Sequence, residues 1–238
     1  MRNYFTFAGR ASTEFGIYTN GRETFGSPAR SYEVVTVPGR NGDLFYDNKR
    51  FENYDLKYPA SFIFEDFKTN ISEFRNYMFS RTGYQRLEDT YNPDEFRMAV
   101  FKDAFEPAVK DSHDFAQFDI VFNCKPQRFL KSGEEPLVFT GSSFSITNPT
   151  YFPAKPLIRV YGNGTLRIGN VSIEIKDNNN YDYCDIDFET SNAYYGPTSL
   201  NRKVTLSQLD YPSLEPGVNN CTKSGITRIE VKPRWYII

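Results

Sequence analysis

Apolar side chains along this chain recur mostly at every second position. Phe118, Ile120, Phe122 and Cys124 alternate with Asp119, Val121 and Asn123, the period that turns successive side chains to opposite faces of a strand. Residues 32–37 form a β-branched and aromatic run, and both segments read as sheet edges on one core. Asn20-Gly21 and Asn41-Gly42 are hairpin-type dipeptides, because both residue types tolerate the positive φ that such turns require. One stretch departs from the period of two: Ile71, Phe74 and Met78 stand at i, i+3 and i+7, which predicts a short amphipathic helix. Asn70 is placed to cap its start, Glu73 to complete a capping box, and Gly83 to take the left-handed conformation after its end. Beyond it, residues 84–90 and 96–101 flank Asn92-Pro93-Asp94 and read as a β-hairpin.

At residues 125–135 the composition changes to KPQRFLKSGEE, polar and broken by Pro126 and Gly133, which reads as a linker between domains 1–131 and 136–238. The second domain holds strand candidates at residues 137–139, 157–161, 166–168, 171–175, 183–188, 204–206 and 226–232. Short strands at that spacing suggest a β-sandwich. The expected fold class is therefore mainly β: a β-rich first domain with one short helix, then a sandwich.

Composition agrees. Among 238 residues, 22 Phe and 17 Tyr favour strands, where flat rings pack across a pleated surface. With 28 Lys and Arg against 30 Asp and Glu, the net charge of -2 gives no general attraction for nucleic acid or an anionic membrane. The first 21 residues lack the apolar core of a signal peptide, and no apolar run approaches the roughly 20 residues that span a bilayer, so the chain reads as soluble. Cys124, Cys184 and Cys221 are odd in number, far apart and without a CxxC, the pattern of reduced, buried thiols rather than disulfides or zinc ligands.

Groups able to carry catalysis are isolated. His113 is the sole histidine, within KDSHD, so a solvated turn is a better reading than a triad or a metal site. Asp185 and Asp187 lie two apart on one face of a strand and mimic a glycosidase pair, yet alternation alone predicts an ordinary half-solvated strand. The stretch DNNNYDYCDID at residues 177–187 is rich in oxygen ligands but has Tyr181 at the fifth EF-hand place; an acidic loop is the plain reading and calcium the alternative. Gly162-Asn163-Gly164 lies between two strands, a hairpin turn rather than a phosphate cradle. Tyr194, Tyr195, Trp235 and Tyr236 offer either sugar-stacking faces or packing surfaces, and packing fits better. No catalytic, cofactor-binding or metal-binding residue is assigned. Residue chemistry stops at a two-domain, β-rich binding or structural protein.

VPGRNGDL at residues 37–44, RFEN at 50–53, a short helix, GYQRLEDTYNPDEFRMAVF at 83–101 and FDIVFNCKPQRFL at 118–130 occur in the order found in siphovirus distal tail (Dit) proteins, and this half of the chain resembles them. NPTYFPAKPLIRVYGNGT at 148–165, DIDFETSNAY at 185–194, LEPGVN at 214–219 and GITRIEVKPRWYII at 225–238 resemble the family's second half. The likeness implies an N-terminal domain that closes into a hexameric ring, single or stacked, joined to a galectin-like β-sandwich. Such a hub connects the tail tube protein to the tail-associated lysin or fibre protein and, in some phages, to receptor-binding proteins. It belongs to the virion tail tip, is assembled in the host cytoplasm, and requires no cofactor, specific nucleic acid or membrane. The roughly 100 residues after the linker resemble the compact type without a long arm. Arg40, Asn41 and Asp43, with Asp111 and His113, sit in polar loops suited to ring contacts, the alternative for each being an exposed turn. The alternative function is a carbohydrate-binding module that attaches the tail to host cell-wall polysaccharide.

Overall fold

The computed structural model describes residues 3–20, 24–63, 66–104, 106–109, 115–176 and 180–238. Strand makes up 52% of the described residues and bears out the mainly β expectation. Two compact units divide it, one running to Arg128 with Ile238 added, the other Phe129–Ile237.

The first unit contains β1 (Phe5–Phe7), β2 (Arg10–Ala11), β3 (Ile17–Thr19), β4 (Arg30–Val35), β5 (Leu44–Phe51), β6 (Tyr54–Ile63), helix α1 (Phe67–Phe79), β7 (Gln85–Asp89), β8 (Glu95–Phe101), β9 (Ala108–Val109) and most of β10 (Phe115–Leu130). Its main sheet runs β2-β1-β7-β8-β10-β6-β3, with β9 also on β10. Phe118, Ile120, Phe122 and Cys124 are all buried, as their alternation requires. The strand that carries them is not an edge: β10 lies between β8 and β6, in register from Phe115 opposite Ile63 to Cys124 opposite Tyr54. Rings dominate the core, with Phe122 5.3 Å from Phe5, 5.0 Å from Phe7 and 5.8 Å from Phe101. Each such ring contributes about 1.5–3 kcal/mol by leaving water.

Helix α1 buries Ile71, Phe74, Tyr77 and Met78, the face its period predicts. The cap differs from expectation. Asp66, in the left-handed region at φ 62°, accepts from Thr69 N, and Asn70 lies inside the first turn. Phe67 packs 4.8 Å from Phe62, so the helix begins before its apolar stripe does. Glu73 pairs with Arg10 at 3.0 Å instead of closing a capping box, and Gly83, at φ 68°, stands three residues beyond the C-cap Ser80. In the β7–β8 hairpin the turn is held by Asp89, whose Oδ1 accepts from Tyr91 N and Asn92 N at 3.0 and 2.8 Å. Its Oδ2 accepts from Tyr58 Oη at 2.7 Å and from the buried Arg97 at 3.1 Å. Burial and the neighbouring Asp89 push the Tyr58 phenol well above its ordinary range, so it stays a donor.

In the second unit, β11 (Leu137–Phe139), β13 (Leu157–Tyr161), β16 (Cys184–Asp187), β17 (Asn192–Tyr195), β18 (Thr198–Ser199) and β21 (Arg228–Lys232) form one sheet in the order β11-β21-β13-β16-β17-β18. The other holds β12 (Ser143–Asn148), β14 (Gly164–Ile168), β15 (Val171–Ile175), β19 (Val204–Leu206) and β20 (Gly217–Ser224) in the order β12-β20-β14-β15-β19. Ile158, Val160, Ile186, Ile229 and Val231 of the first sheet share one core with Leu166, Ile168, Ile173, Ile175 and Cys221 of the second. This is a β-sandwich.

Two expectations are corrected. Residues 125–130 are the end of β10, not irregular linker; Gly133 then sits so close to the backbone that an added Cβ would meet Trp235 N at 2.4 Å. Gly162-Asn163-Gly164 joins β13 to β14, which belong to different sheets, so it is a crossover at the sandwich edge rather than a hairpin turn. A Cβ on Gly164, at φ 145°, would meet Ser224 O at 2.0 Å, and that close approach is why glycine stands there.

Candidate functional site

Asp185 and Asp187 are buried rather than half-solvated, and each is clamped by an arginine. Arg159 donates to Asp185 from Nε and Nη2 at 2.8 and 2.9 Å. Arg234 donates to Asp187 at 2.8 and 3.1 Å, and the backbone N–H groups of Glu189 and Thr190 add 2.9 and 3.4 Å contacts. Burial alone acts to raise the Asp187 pKa, but Arg234 and those N–H groups outweigh it and hold the carboxyl below its ordinary value. A general acid needs the opposite shift. These carboxylates are structural clamps.

The thiols are buried and bonded to no other cysteine; burial pushes Cys124 up to about 12 and Cys184 and Cys221 up to about 11. Among the described residues no three His, Cys, Asp or Glu side chains gather as metal ligands, and no helix is long and apolar enough to cross a membrane. Residues 177–179 of the acidic stretch lie outside the described residues, as do Gly21, Asp111 and His113. The four aromatics considered as sugar platforms do not share one. Trp235 belongs to the sandwich core, Tyr236 stacks on Phe152 at 5.5 Å, and Tyr195 has Tyr183 at 4.8 Å and Tyr181 at 5.2 Å.

The exposed apolar surface is concentrated elsewhere. Strands β4 and β5 form a two-stranded sheet of their own, with Val35 opposite Leu44, Val34 opposite Phe45, Glu33 opposite Tyr46 and Tyr32 opposite Asp47. Opposed residues share a face and neighbours along a strand do not. Val35, Leu44 and Tyr46 therefore line one face, and Tyr32, Val34 and Phe45 the other. Both are open: the exposures run from 42% at Leu44 to 67% at Tyr46. At the base, Arg30 reaches Asp47 at 2.8 Å and lies over the Phe51 ring at 4.9 Å. A register shift falls between Arg30 and Tyr32, and across from it Lys49 takes φ 55° while its N–H donates to Asp47 at 2.8 Å. Such a bulge sharpens the local twist.

Arg40, Asn41 and Asp43 occupy the exposed hairpin tip. Gly39 and Gly42 take φ 79° and 81° there, Arg40 N donates to Val37 O at 3.2 Å, and Thr36 Oγ1 donates to Asp43 at 2.9 Å. Reading the sequence located the turn and one strand but missed that the blade behind the tip is the apolar surface. The available signal was apolar residues at adjacent positions, Val34-Val35 and Leu44-Phe45-Tyr46, which a strand with one buried face does not need.

No protein-family profile and no curated protein matches the chain. Solved structures do. The Dit protein of phage SPP1, described as a paradigm of the hub adsorption apparatus in Gram-positive-infecting phages, aligns with a TM-score of 0.68 at 12% identity over 100% of both chains. A chain of the phage P2 baseplate in its activated conformation with Ca aligns at 0.59 and 10% identity, covering 97% of each chain. The corresponding baseplate with Sr gives 0.57 at 10% identity over 97% of this chain and 96% of that one. From end to end, this chain has the fold of a phage distal tail protein.

Proposed function

We propose that this protein is a structural component of a phage tail, a hub that joins the tail tube to the tail tip or baseplate and its adsorption apparatus. The carrying observation is the alignment of the whole chain, both units in one order, with a hub protein. The sequence motifs that resemble the distal tail family support the same reading. In it, residues 1–131 close into a hexameric ring and residues 136–238 form the outer, galectin-like sandwich.

A cyclic, head-to-tail ring needs a surface that each copy offers to the next. The open faces of the β4–β5 hairpin supply it, and Arg40, Asn41 and Asp43 at its tip, with Asp111 and His113, are the proposed polar contacts. The ring's partners are the tail tube protein on one side and a tail-associated lysin, fibre or receptor-binding protein on the other, within the virion. Catalysis plays no part, because the paired carboxylates that come nearest to an active site are neutralised by Arg159 and Arg234. Light scattering of the purified protein, with negative-stain images of the same fraction, tests the reading. A mass of six or twelve chains with a central hole is expected; a monomer at all concentrations, with affinity for cell-wall polysaccharide, would replace the hub by the carbohydrate-binding alternative.

A further inference from the structure

Asn-Gly occurs at Asn20, Asn41 and Asn163. Asparagine is a thermolabile side chain because the backbone nitrogen that follows it can attack its amide carbon. Glycine is the follower that obstructs this attack least, having no Cβ. Gly21 lies outside the described residues, so two of the three pairs are compared. Asn41-Gly42 is exposed at the tip between β4 and β5, where Gly42 takes φ 81° and a Cβ built on it meets nothing within 4 Å. Among the described residues neither the Asn41 side-chain amide nor the Gly42 N–H has a hydrogen-bond partner. The turn is held on either side of them instead, by Arg40 N on Val37 O and Thr36 Oγ1 on Asp43. Asn163-Gly164 is boxed in. Gly164 pairs with Ile175 at the start of β14, a Cβ on it would meet Ser224 O at 2.0 Å, and Asn163 O stands 2.8 Å from the Cβ position of Gly225. The Gly164 nitrogen cannot swing toward the Asn163 side chain unless the sheet opens there.

We infer that Asn41 is a self-modification site, where the Gly42 nitrogen displaces the side-chain amide nitrogen of Asn41 and slowly makes the hairpin tip acidic. The Gly42 N–H gives its proton to base in the solvent, and its nitrogen bonds to Asn41 Cγ. The Cγ–Nδ2 bond breaks and ammonia leaves, closing a five-membered imide. Water then opens either carbonyl of that ring, giving aspartate or its β-linked isomer. The balance is one water taken up and one ammonia released, with no redox change. The product sets a carboxylate two residues from Asp43 and adds one negative charge to a chain of net charge -2. Like charges that close repel. The β-linked isomer also lengthens the backbone by one carbon inside the turn that joins Val35 to its partner Leu44, and turn geometry fixes hairpin register. The tip is thus a clock that marks the age of a chain, and this stands whether or not the protein is a hub.

Native full-length protein, incubated dilute in mildly alkaline buffer, is sampled over days and digested under mildly acidic conditions that stop the reaction. Tandem mass spectrometry then reads the amide-to-acid exchange at Asn41 and Asn163. Asn41 is expected to convert at least about tenfold faster than Asn163 in the native protein, and the two rates to converge in denaturant, where only the dipeptide counts. Gly42→Ala puts a Cβ in the path of attack and should slow Asn41 about tenfold while Asn163 keeps its rate. Asn41→Gln, which would have to close a six-membered ring, leaves the glycine conformation untouched and should keep the intact protein's elution on anion exchange constant while wild type shifts to the acidic side. Equal native rates at Asn41 and Asn163, or an Asn41 that reacts only after unfolding, would overturn the inference. So would an Asn41→Gln chain that turns acidic as fast as wild type.

Discussion

Across the six-stranded sheet of the sandwich, Ile158 lies opposite Ile186 on one side and Val231 on the other, all three at 0% exposure, while Arg159, Asp185 and Glu230 form the adjacent row on the other face. Across the hairpin, Val34 opposite Phe45 and Val35 opposite Leu44 are equally apolar pairs, yet they sit on opposite faces and both are exposed. Antiparallel pairing of apolar residues is common to the two places. The difference is whether the chain itself provides the surface that covers them: the sandwich supplies it within one copy, and the hairpin leaves both of its faces open.

The sharpest way to break the sandwich is at its crossover. Gly164→Ala drives a methyl into Ser224 O and imposes a positive φ on alanine, for an expected loss of about 3–5 kcal/mol. Urea unfolding followed by near-ultraviolet circular dichroism of Trp235 reads that loss; a midpoint within error of wild type would show that the two sheets approach less closely than described.

A matched pair of truncations then compares the two regions directly. Ile229→Ala removes a wholly buried side chain and is expected to cost about 2–5 kcal/mol. Phe45→Ala, measured on chains dilute enough to be monomeric, is expected to change stability by less than about 0.5 kcal/mol, yet to dissociate the assembly. Equal destabilisation of the dilute chain by both would mean that Phe45 packs into the core of its own chain, beyond its edge contact with Tyr32.

A smaller effect tests the outer face of the sandwich. Asp187→Asn leaves Arg234 with a weaker partner and is expected to cost about 1–2 kcal/mol at neutral pH. Because the folded-state pKa of Asp187 is lowered, its contribution is complete above the unfolded value of about 4 and disappears as pH falls through the folded value. Wild type should therefore lose more stability than the variant between pH 5 and the acid limit, and parallel pH profiles would sink the clamp assignment. The smallest expected signal is at the thiols: Cys124, Cys184 and Cys221 should resist a maleimide at pH 8 until denaturant is added, since burial keeps them protonated. Fast labelling of native wild-type protein would contradict their burial.

Much of this architecture was legible along the chain. Four strands of the sandwich, Leu137–Phe139, Leu157–Tyr161, Val171–Ile175 and Val204–Leu206, have the bounds that β-branched and apolar runs predict. β20 was not legible, because its inward positions include Lys223. That lysine is buried only because its ammonium donates to Ile226 O and Thr227 O at 2.8 and 2.9 Å, partners that exist after the turn has formed. The helix cap failed for a related reason: Phe67 against Phe62 moved the first turn upstream to Asp66, a contact that no local capping rule contains.

Taken alone, the sequence determined what periodicity can encode: strands of period two, one helical face of Ile71, Phe74 and Met78, near-neutral charge, and the motif order that resembles a distal tail protein. Tertiary structure decided everything that depends on which segments meet. It placed Arg159 and Arg234, 26 and 47 positions away in the chain, on the two aspartates and so turned an apparent catalytic pair into clamps. It also set β13 and β14 in different sheets across a two-residue connection, and left both faces of β4–β5 uncovered. The physical reason is common to all three: alternation specifies that a side chain points to one face, but burial, pairing and pKa are set by what the rest of the fold brings to that face.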